Sequence, residues 1–122
     1  GSVGFYYDKK SERRDRLFFG VEINTVREIS PDYGRFSVKL IKENVGGILD
    51  LMYKYKTVLN ENEIVGIVIG FKWIDNGSPQ QVNIWIKKED LQLFYDRKIT
   101  LNEMYQRSTI TNTAGKIILL PI

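Results

Sequence analysis

Residues 64–74 form an almost unbroken apolar segment that stops at residues 75–79, Asp-Asn-Gly-Ser-Pro. Apolar β-branched and aromatic residues at nearly every position predict a strand buried on both faces. Asn76-Gly77 is a strong signal for a two-residue hairpin turn. After the turn, the apolar residues Val82, Ile84 and Ile86 alternate with other types, which predicts the returning antiparallel strand. The segment therefore predicts a β-hairpin that holds the most buried strand of the domain.

Other segments also have the composition or alternation of strands. In residues 35–40, Phe36, Val38 and Leu40 occupy one face and polar residues the other, as in a half-buried strand. Gly46-Gly47 predicts a turn that leads into a further strand, because glycine adopts positive φ at no steric cost. The predicted strands are residues 3–7, 17–29, 35–40, 48–53, 64–74, 82–87 and the closing segment 116–122.

Two short helices are predicted near the C-terminus. Leu91, Phe94 and Tyr95 recur at helical spacing, and Thr100-x-x-Glu103 has the form of a capping box. The predicted fold class is therefore mainly β: an antiparallel barrel or sandwich of six or seven strands with one or two short C-terminal helices. Gly1-Ser2 is typical of a tag-cleavage scar, and residues 3–122 are predicted to form a single β-barrel-like binding domain.

Composition restricts the chemistry that is available. The 122 residues include no Cys and no His, which removes thiolate nucleophiles, the usual neutral-pH proton carrier and the commonest zinc ligands. Phosphate-loop and Gly-x-Ser-x-Gly motifs do not occur, so we expect a protein that is not an enzyme, with no cofactor and no metal. Without a long apolar run or a signal peptide, a cytoplasmic protein that does not insert into membranes is expected.

A basic segment, residues 9–16, lies between two aromatic segments. Arg13, Arg14 and Arg16 are candidates for binding phosphates and bases, and Tyr7 or Phe18 could stack on a base. The alternative is a solvated charged loop whose own acidic residues offset part of the positive charge.

This segment and a later one together resemble PilZ domains. Residues 13–16, Arg-Arg-Asp-Arg, stand ahead of a strand, and residues 42–51 follow about thirty residues later; the likeness covers roughly residues 13–71. PilZ domains bind cyclic diguanylate with an arginine loop and a later motif that precedes a strand. The resemblance implies a β-barrel with a cyclic dinucleotide ligand, with Asn44 in place of the motif's serine beside Gly46 and Gly47. Lys42 stands where that family has Asp or Asn.

A second candidate surface combines basic and aromatic residues. Lys54 and Lys56 alternate with tyrosines, as in single-strand binders, although alternation in any half-buried strand gives the same pattern. Trp85 lies on the opposite face from its isoleucine neighbours, so it is expected to be exposed and to mark a contact surface. Lys87 and Lys88 extend this possible surface.

These residues lead to three hypotheses. The first is a non-enzymatic binding module for an anionic nucleotide, possibly a cyclic dinucleotide, which uses the arginines and Asn44. The second is a single-stranded nucleic-acid binder that uses the lysines and Trp85. The third is a protein-interaction or inhibitor domain that binds another protein through Trp85 and strand edges, with a homodimer as a further possibility. The net charge of +3 favours an anionic partner only mildly.

Overall fold

The computed structural model describes residues 2–7, 17–24, 32–59 and 64–122. In this part of the chain, six strands form one sheet whose spatial order follows the sequence. The strands are β1 (Ser2–Tyr7), β2 (Leu17–Asn24), β3 (Ile64–Asp75), β4 (Ser78–Lys87), β5 (Thr109–Thr111) and β6 (Ile117–Ile118). The prediction of a β-rich chain is confirmed.

Helical segments connect these strands. They are α1 (Tyr33–Met52), a 3-10 turn (Tyr53–Tyr55), α2 (Lys56–Leu59), α3 (Lys88–Tyr95) and α4 (Leu101–Arg107). The longest of them, α1, joins β2 to β3, and these two strands pair in parallel. A parallel pair needs a long crossover connection, and α1 supplies it.

The sheet differs in its strand directions from the one predicted. Every other neighbouring pair is antiparallel, so the sheet is mixed, and the prediction of an all-antiparallel arrangement is wrong at β2 and β3. Among the described residues β1 and β6 form the two edges and do not pair with each other. The described sheet is therefore open.

Helix α1 replaces three features that the sequence analysis predicted. The strand at 35–40, the turn at 44–47 and the strand at 48–53 all fall within α1 or the 3-10 turn that follows it. Phe36, Leu40 and Val45 face the core at helical spacing. Burial of this apolar face outweighs the roughly 1 kcal/mol by which each glycine disfavours a helix interior. The Asp32 side chain caps the helix by accepting a hydrogen bond of 3.1 Å from the Arg35 backbone nitrogen.

In the second half of the chain, the hairpin and the two C-terminal helices follow the sequence prediction, whereas the strand predicted over residues 116–122 is limited to Ile117–Ile118 and β5 was not predicted. Asn76 and Gly77 both have positive φ, at 50° and 81°, which is the backbone conformation that an Asn-Gly hairpin turn requires. The capping box of α4 is complete: the Thr100 hydroxyl accepts from the Glu103 backbone nitrogen, and the Glu103 carboxylate accepts from that of Thr100, both at 3.1 Å. The β3–β4 hairpin and both C-terminal helices are therefore confirmed.

The hydrophobic core lies on one face of the sheet. Ile67, Ile69 and Phe71 of β3 are fully buried there, together with residues of α1, α3 and α4. Side chains alternate along a strand, so Gly66, Val68 and Gly70 lie on the second face. We call the end of the sheet that carries Leu17, Gly66 and Lys87 the basic end, and the end that carries the Asn76-Gly77 turn the hairpin end. Because α1 runs from β2 back to the start of β3, its C-terminus lies at the basic end.

Candidate functional site

The basic end of the sheet brings three strands and two helices together. Phe18 of β2 pairs with Gly66 of β3, which in turn pairs with Lys87 of β4, so the three residues form one row across the sheet. A Cβ atom on Gly66 would meet the Ile86 carbonyl oxygen, and it would lie 2.8 Å from Cε1 of Phe18. Only glycine therefore allows the Phe18 ring to lie this close to the backbone of β3.

A small pocket opens at the same end of the molecule, where the 3-10 turn and α2 meet α3. Its volume is about 70 Å³, and its lining includes Tyr53, Lys56, Lys88 and Asp96. Lys56 Nζ lies 4.6 Å from the centre of the Tyr53 ring and donates a hydrogen bond of 3.3 Å to the Tyr53 hydroxyl. This arrangement is a cation–π contact at an exposed site, and it keeps the Lys56 ammonium at the pocket rim.

The charges at this pocket favour an anion. Among the described residues that line the pocket, Lys56 and Lys88 are basic and Asp96 is the only acid, and the Asp50 carboxylate lies close to Tyr95. Gln92 donates a hydrogen bond of 3.1 Å to the Asp96 carboxylate, so that group already has a partner on its own helix turn. Lys54 and Lys87 are exposed and adjoin this region in sequence, but they do not line the pocket. The described lining itself holds two basic side chains and one acidic side chain.

Tyr95 lines the pocket and contacts both Tyr53 and the end of α1. Its hydroxyl donates a hydrogen bond of 2.7 Å to the Leu49 carbonyl oxygen near the end of α1, and its ring meets that of Tyr53 edge-on at 5.1 Å. Burial raises the pKa of Tyr95 to about 12, and the nearby Asp50 carboxylate adds to the shift. Tyr95 is therefore neutral near pH 7, and it acts as a structural donor that fixes the position of Tyr53.

The three candidate arginines, Arg13, Arg14 and Arg16, lie outside the described residues. Their segment joins β1 to β2, and its anchors are Tyr7 and Leu17, which pair with each other at the basic end. The side chain of Tyr7, a candidate for stacking, is likewise outside the described set.

The remaining residues of the PilZ-like motif are in a different setting from the one expected. Asn44, Gly46 and Gly47 lie in the interior of α1, so the predicted turn is wrong. The Asn44 side chain donates a hydrogen bond of 2.8 Å to the Leu40 carbonyl oxygen of its own helix. A Cβ on Gly46 would lie 3.3 Å from Leu101 of α4, so this position packs helix against helix. These three residues do not line the pocket at the basic end.

Trp85 is correctly predicted to face away from Ile84 and Ile86, both of which are fully buried in the core. It is only partly exposed, however, and the expectation of an exposed contact residue is wrong. Its indole nitrogen donates a hydrogen bond of 2.9 Å to the Thr111 hydroxyl, and its ring meets that of Phe18 edge-on at 5.0 Å. Phe18 itself is buried, at 8% exposure, so its ring packs within the protein and does not present a free stacking face.

Sequence analysis identified part of this pocket. The alternation of tyrosine and lysine singled out Lys54 and Lys56, but as positions on a strand, whereas they occupy a 3-10 turn and a short helix. It grouped Lys56 with Lys88 as one possible basic surface, but it did not connect Tyr53 with Tyr95. Those pairs meet because α1 returns to the basic end and α3 starts there, and both facts follow from the crossover that the sequence analysis missed.

No protein family, curated protein or solved structure matches this chain. Within the described ranges, no group of three or more acidic, His or Cys side chains is placed to hold a metal ion. The helices of the same ranges include none that is both long enough and apolar enough to cross a bilayer.

Proposed function

We propose that the protein is a non-enzymatic binding module for an anionic nucleotide, which it holds at the basic end of the sheet. The observation that carries this proposal is the meeting of Lys56 and Lys88 beside the half-exposed ring of Tyr53. Two cations and an aromatic ring supply the interactions that a nucleotide needs, because lysine pairs with phosphate and tyrosine stacks on a base.

The size of the pocket determines how such a ligand would lie. A volume of about 70 Å³ is well below the several hundred Å³ of pockets that enclose a small molecule. A phosphate would enter between Lys56 and Lys88, and the base would remain outside on the Tyr53 ring. The segment that carries Arg13, Arg14 and Arg16 is tethered to the same end and would supply further phosphate contacts.

A cyclic dinucleotide is the first ligand to test. Its two phosphates would suit a site at which lysines and an arginine-bearing segment meet, and the resemblance of residues 13–71 to PilZ domains suggests the same ligand class. Asn44, Gly46 and Gly47 would act in this proposal through the packing of α1 against α4 and not through ligand contact.

Isothermal titration calorimetry with cyclic dinucleotides and mononucleotides tests the proposal. The double variant K56A/K88A should bind the best of these ligands at least tenfold more weakly, since each charged hydrogen bond contributes about 1.5–3 kcal/mol. The charge-matched control K98A/K116A changes two exposed lysines that do not line the pocket, and it should bind like the parent. No heat with any nucleotide, or equal losses in both double variants, would refute the proposal.

Single-stranded nucleic acid is a second candidate for the same site, because Lys54, Lys56, Lys87 and Lys88 all lie at the basic end. A strand that contacts several lysines releases counterions, so its affinity should fall steeply as salt rises. A single nucleotide neutralises fewer charges and should show a shallower salt dependence. Titrations with a short oligonucleotide and with the best mononucleotide, each at several salt concentrations, distinguish the two candidates.

A further inference from the structure

The last segment of the chain, residues 117–122, lies along one edge of the sheet and is apolar on two sides. Every second residue packs against the hydrophobic core: Ile118, Leu120 and Ile122. The residues between them point away from the core, and Ile117 is 55% exposed while Leu119 is 97% exposed. The segment therefore leaves a second apolar side in contact with water.

This segment is held in place along its length. Its first two residues pair with β5, and the Gln106 side chain of α4 donates a hydrogen bond of 2.6 Å to the Ile122 carbonyl oxygen. Between these attachments, a methyl group of Leu120 lies 4.0 Å from the Cβ position of Gly34 in the first turn of α1. Leu119 is thus presented by a fixed backbone, so a partner that binds here has little chain entropy to remove.

The outer edge of β6 offers backbone groups from two residues. In an antiparallel ladder, the N–H and C=O groups of successive residues point alternately to one neighbour and to the other. The Asn112 backbone nitrogen donates to the Lys116 carbonyl oxygen at 2.8 Å, so Ile118, two residues further along, also bonds to β5. The groups of Ile117 and Leu119 therefore point away from β5, and no described strand lies on that side.

This edge is complementary to itself in one antiparallel register. With Ile118 opposite the partner's Ile118, Ile117 pairs with the partner's Leu119 and Leu119 with the partner's Ile117, so both outward N–H groups of each copy are used. A register centred on Ile117 would need the Gly115 N–H, which already bonds within its own turn. A register centred on Leu119 would need an N–H from Pro121, which has none.

The same register brings the exposed apolar side chains together. Ile117 and Leu119 of the two copies meet on the second face of the sheet and form one cluster, which removes both leucines from water. Only a few residues of each copy take part, so the buried area lies at the low end of protein interfaces, below about 1,200 Å². We therefore expect a weak dimer, with a dissociation constant on the order of 100 µM.

Opposite charges also meet across this pairing. Lys116 lies opposite the partner's Leu120, on the face that carries the core. The Cβ position of Gly34 is 4.0 Å from Leu120 and 3.5 Å from the Asp32 carboxylate, so this carboxylate lies near Leu120. A lysine opposite Leu120 can reach it, and the two-fold symmetry repeats the contact. This complementarity of charge favours a second copy of the chain over an unrelated strand.

We propose that two copies of the chain associate through their β6 edges, in the antiparallel register centred on Ile118, and form one continuous sheet. The turn at Gly115 and the missing N–H of Pro121 end the ladder on either side, so the contact closes as a dimer and does not propagate. None of the paired residues lines the pocket at the basic end, so the proposal is independent of nucleotide binding.

Sedimentation equilibrium at protein concentrations from about 10 µM to about 1 mM tests the proposal. The mass should rise from that of a monomer to that of a dimer and stop there. L119K should raise the dissociation constant at least tenfold, because it places like charges beside the apolar cluster. The matched control L51K changes a leucine of α1 that is 63% exposed, and it should dimerise like the parent.

Three results of this measurement would overturn the proposal. A monomer throughout would leave the edge to a strand of a different protein. A mass that grows beyond that of a dimer would show an open assembly. Equal losses in L119K and L51K would place the contact elsewhere.

The absence of cysteine from the chain allows a test of the register. I118C places two thiol-bearing residues directly opposite each other, with Cα atoms about 4.5 Å apart, which a disulfide can bridge. L119C places them diagonally, roughly 7–8 Å apart, which is too far. Under mild oxidation, I118C should give a disulfide-linked dimer on a non-reducing gel and L119C should not. Efficient linkage of L119C, or none of I118C, would overturn the proposed register.

Discussion

The two ends of the sheet are built differently although the same strands, β2 to β4, form both. At the basic end the β3 glycine, Gly66, lies against backbone, and the nearby side chains carry an excess of positive charge. Toward the hairpin end the next β3 glycine, Gly70, lies against the amide groups of Gln81 and Asn83, and Lys72 forms an ion pair with Glu22. The comparison teaches that the two glycines of one strand are packed differently, one against backbone and one against side-chain amides.

The largest expected effect is the difference in stability between alanine substitutions at the two β3 glycines, Gly66 and Gly70. In G66A, the new methyl group would overlap the Ile86 carbonyl oxygen, and backbone cannot move aside cheaply; we expect a loss of about 3 kcal/mol in the free energy of unfolding. In G70A, the methyl group would meet the Asn83 amide oxygen at 2.8 Å and the Gln81 amide nitrogen at 3.1 Å. These side-chain ends can shift, at a cost of about 1 kcal/mol for their mutual hydrogen bond.

Urea unfolding of both variants measures this difference. Equal destabilisation by G66A and G70A would mean that the amide pair at the hairpin end is held as rigidly as the backbone at the basic end. The two ends would then not differ in how closely the groups around their glycines are packed.

A smaller effect is expected at the two tyrosines that attach α1 at its ends. Tyr33 donates to the Gln81 carbonyl oxygen at 2.6 Å at the hairpin end, and Tyr95 donates to that of Leu49 at the basic end. The Leu49 carbonyl has a second donor, the Tyr53 backbone nitrogen, and the Gln81 carbonyl lies 3.2 Å from the Thr113 hydroxyl, whose one proton it shares with the Gln80 amide oxygen. Y33F and Y95F should therefore each cost only about 1 kcal/mol, measured by urea unfolding. A loss several times larger at one end would show that α1 is attached mainly there.

The pH dependence of stability should show the state of Tyr95. Its pKa is raised from 10.0 to about 12 in the folded protein, so folding favours the neutral phenol. The stabilisation that this provides is complete below pH 10 and is lost as pH rises through about 12. Absorbance titration of the phenolate, taken as the difference between parent and Y95F, gives the pKa directly. A value near that of a free tyrosine would contradict the buried hydrogen bond to Leu49.

The smallest effect is a gain in stability midway between the two ends. Gly47 lies on the exposed side of α1 with no atom within 4 Å of its Cβ position, so G47A should stabilise the protein by about 0.5–1 kcal/mol. G46A should gain less, because its methyl group lies 3.3 Å from Leu101. Thermal unfolding measures both. Destabilisation by G47A would instead indicate the turn that the sequence alone predicted.

Sequence signals that involve a few neighbouring residues predict the structure correctly, whereas a pattern that extends over a longer segment was missed. The β3–β4 hairpin and the α4 capping box rest on neighbours within a few residues, and both are predicted correctly. Helix α1 was missed because a six-residue window, 35–40, alternates like a strand, whereas Phe36, Leu40, Val45 and Leu49 show helical spacing only over a longer window. Gly46-Gly47 lies within that longer window. Because glycine usually ends regular structure, the residues before and after it were interpreted as two separate strands.

The candidate site was predictable to a smaller extent. Local composition identified Lys54 and Lys56 as basic residues that alternate with tyrosines, and in the structure they lie in the same short helical segment as those tyrosines. The sequence analysis also grouped Lys88 with them as one possible surface, but it did not include Tyr95, because that contact depends on the direction in which α1 crosses the sheet. A pocket at the hairpin end, whose lining includes Asn24, Lys72 and Gln80, was not predicted at all. Its lining residues come from separate strands, and no motif links them.

The parallel pairing of β2 with β3 has a kinetic consequence. The β3–β4 hairpin closes through a two-residue turn, but β2 can join β3 only after the chain between Asn24 and Ile64 has collapsed. Loop closure over that separation is entropically costly, so we expect the hairpin to acquire protection first and the β1–β2 half to join last. Pulsed hydrogen exchange during refolding would detect this order. The half of the sheet that carries the arginine-bearing segment would then be the last to become part of the native molecule.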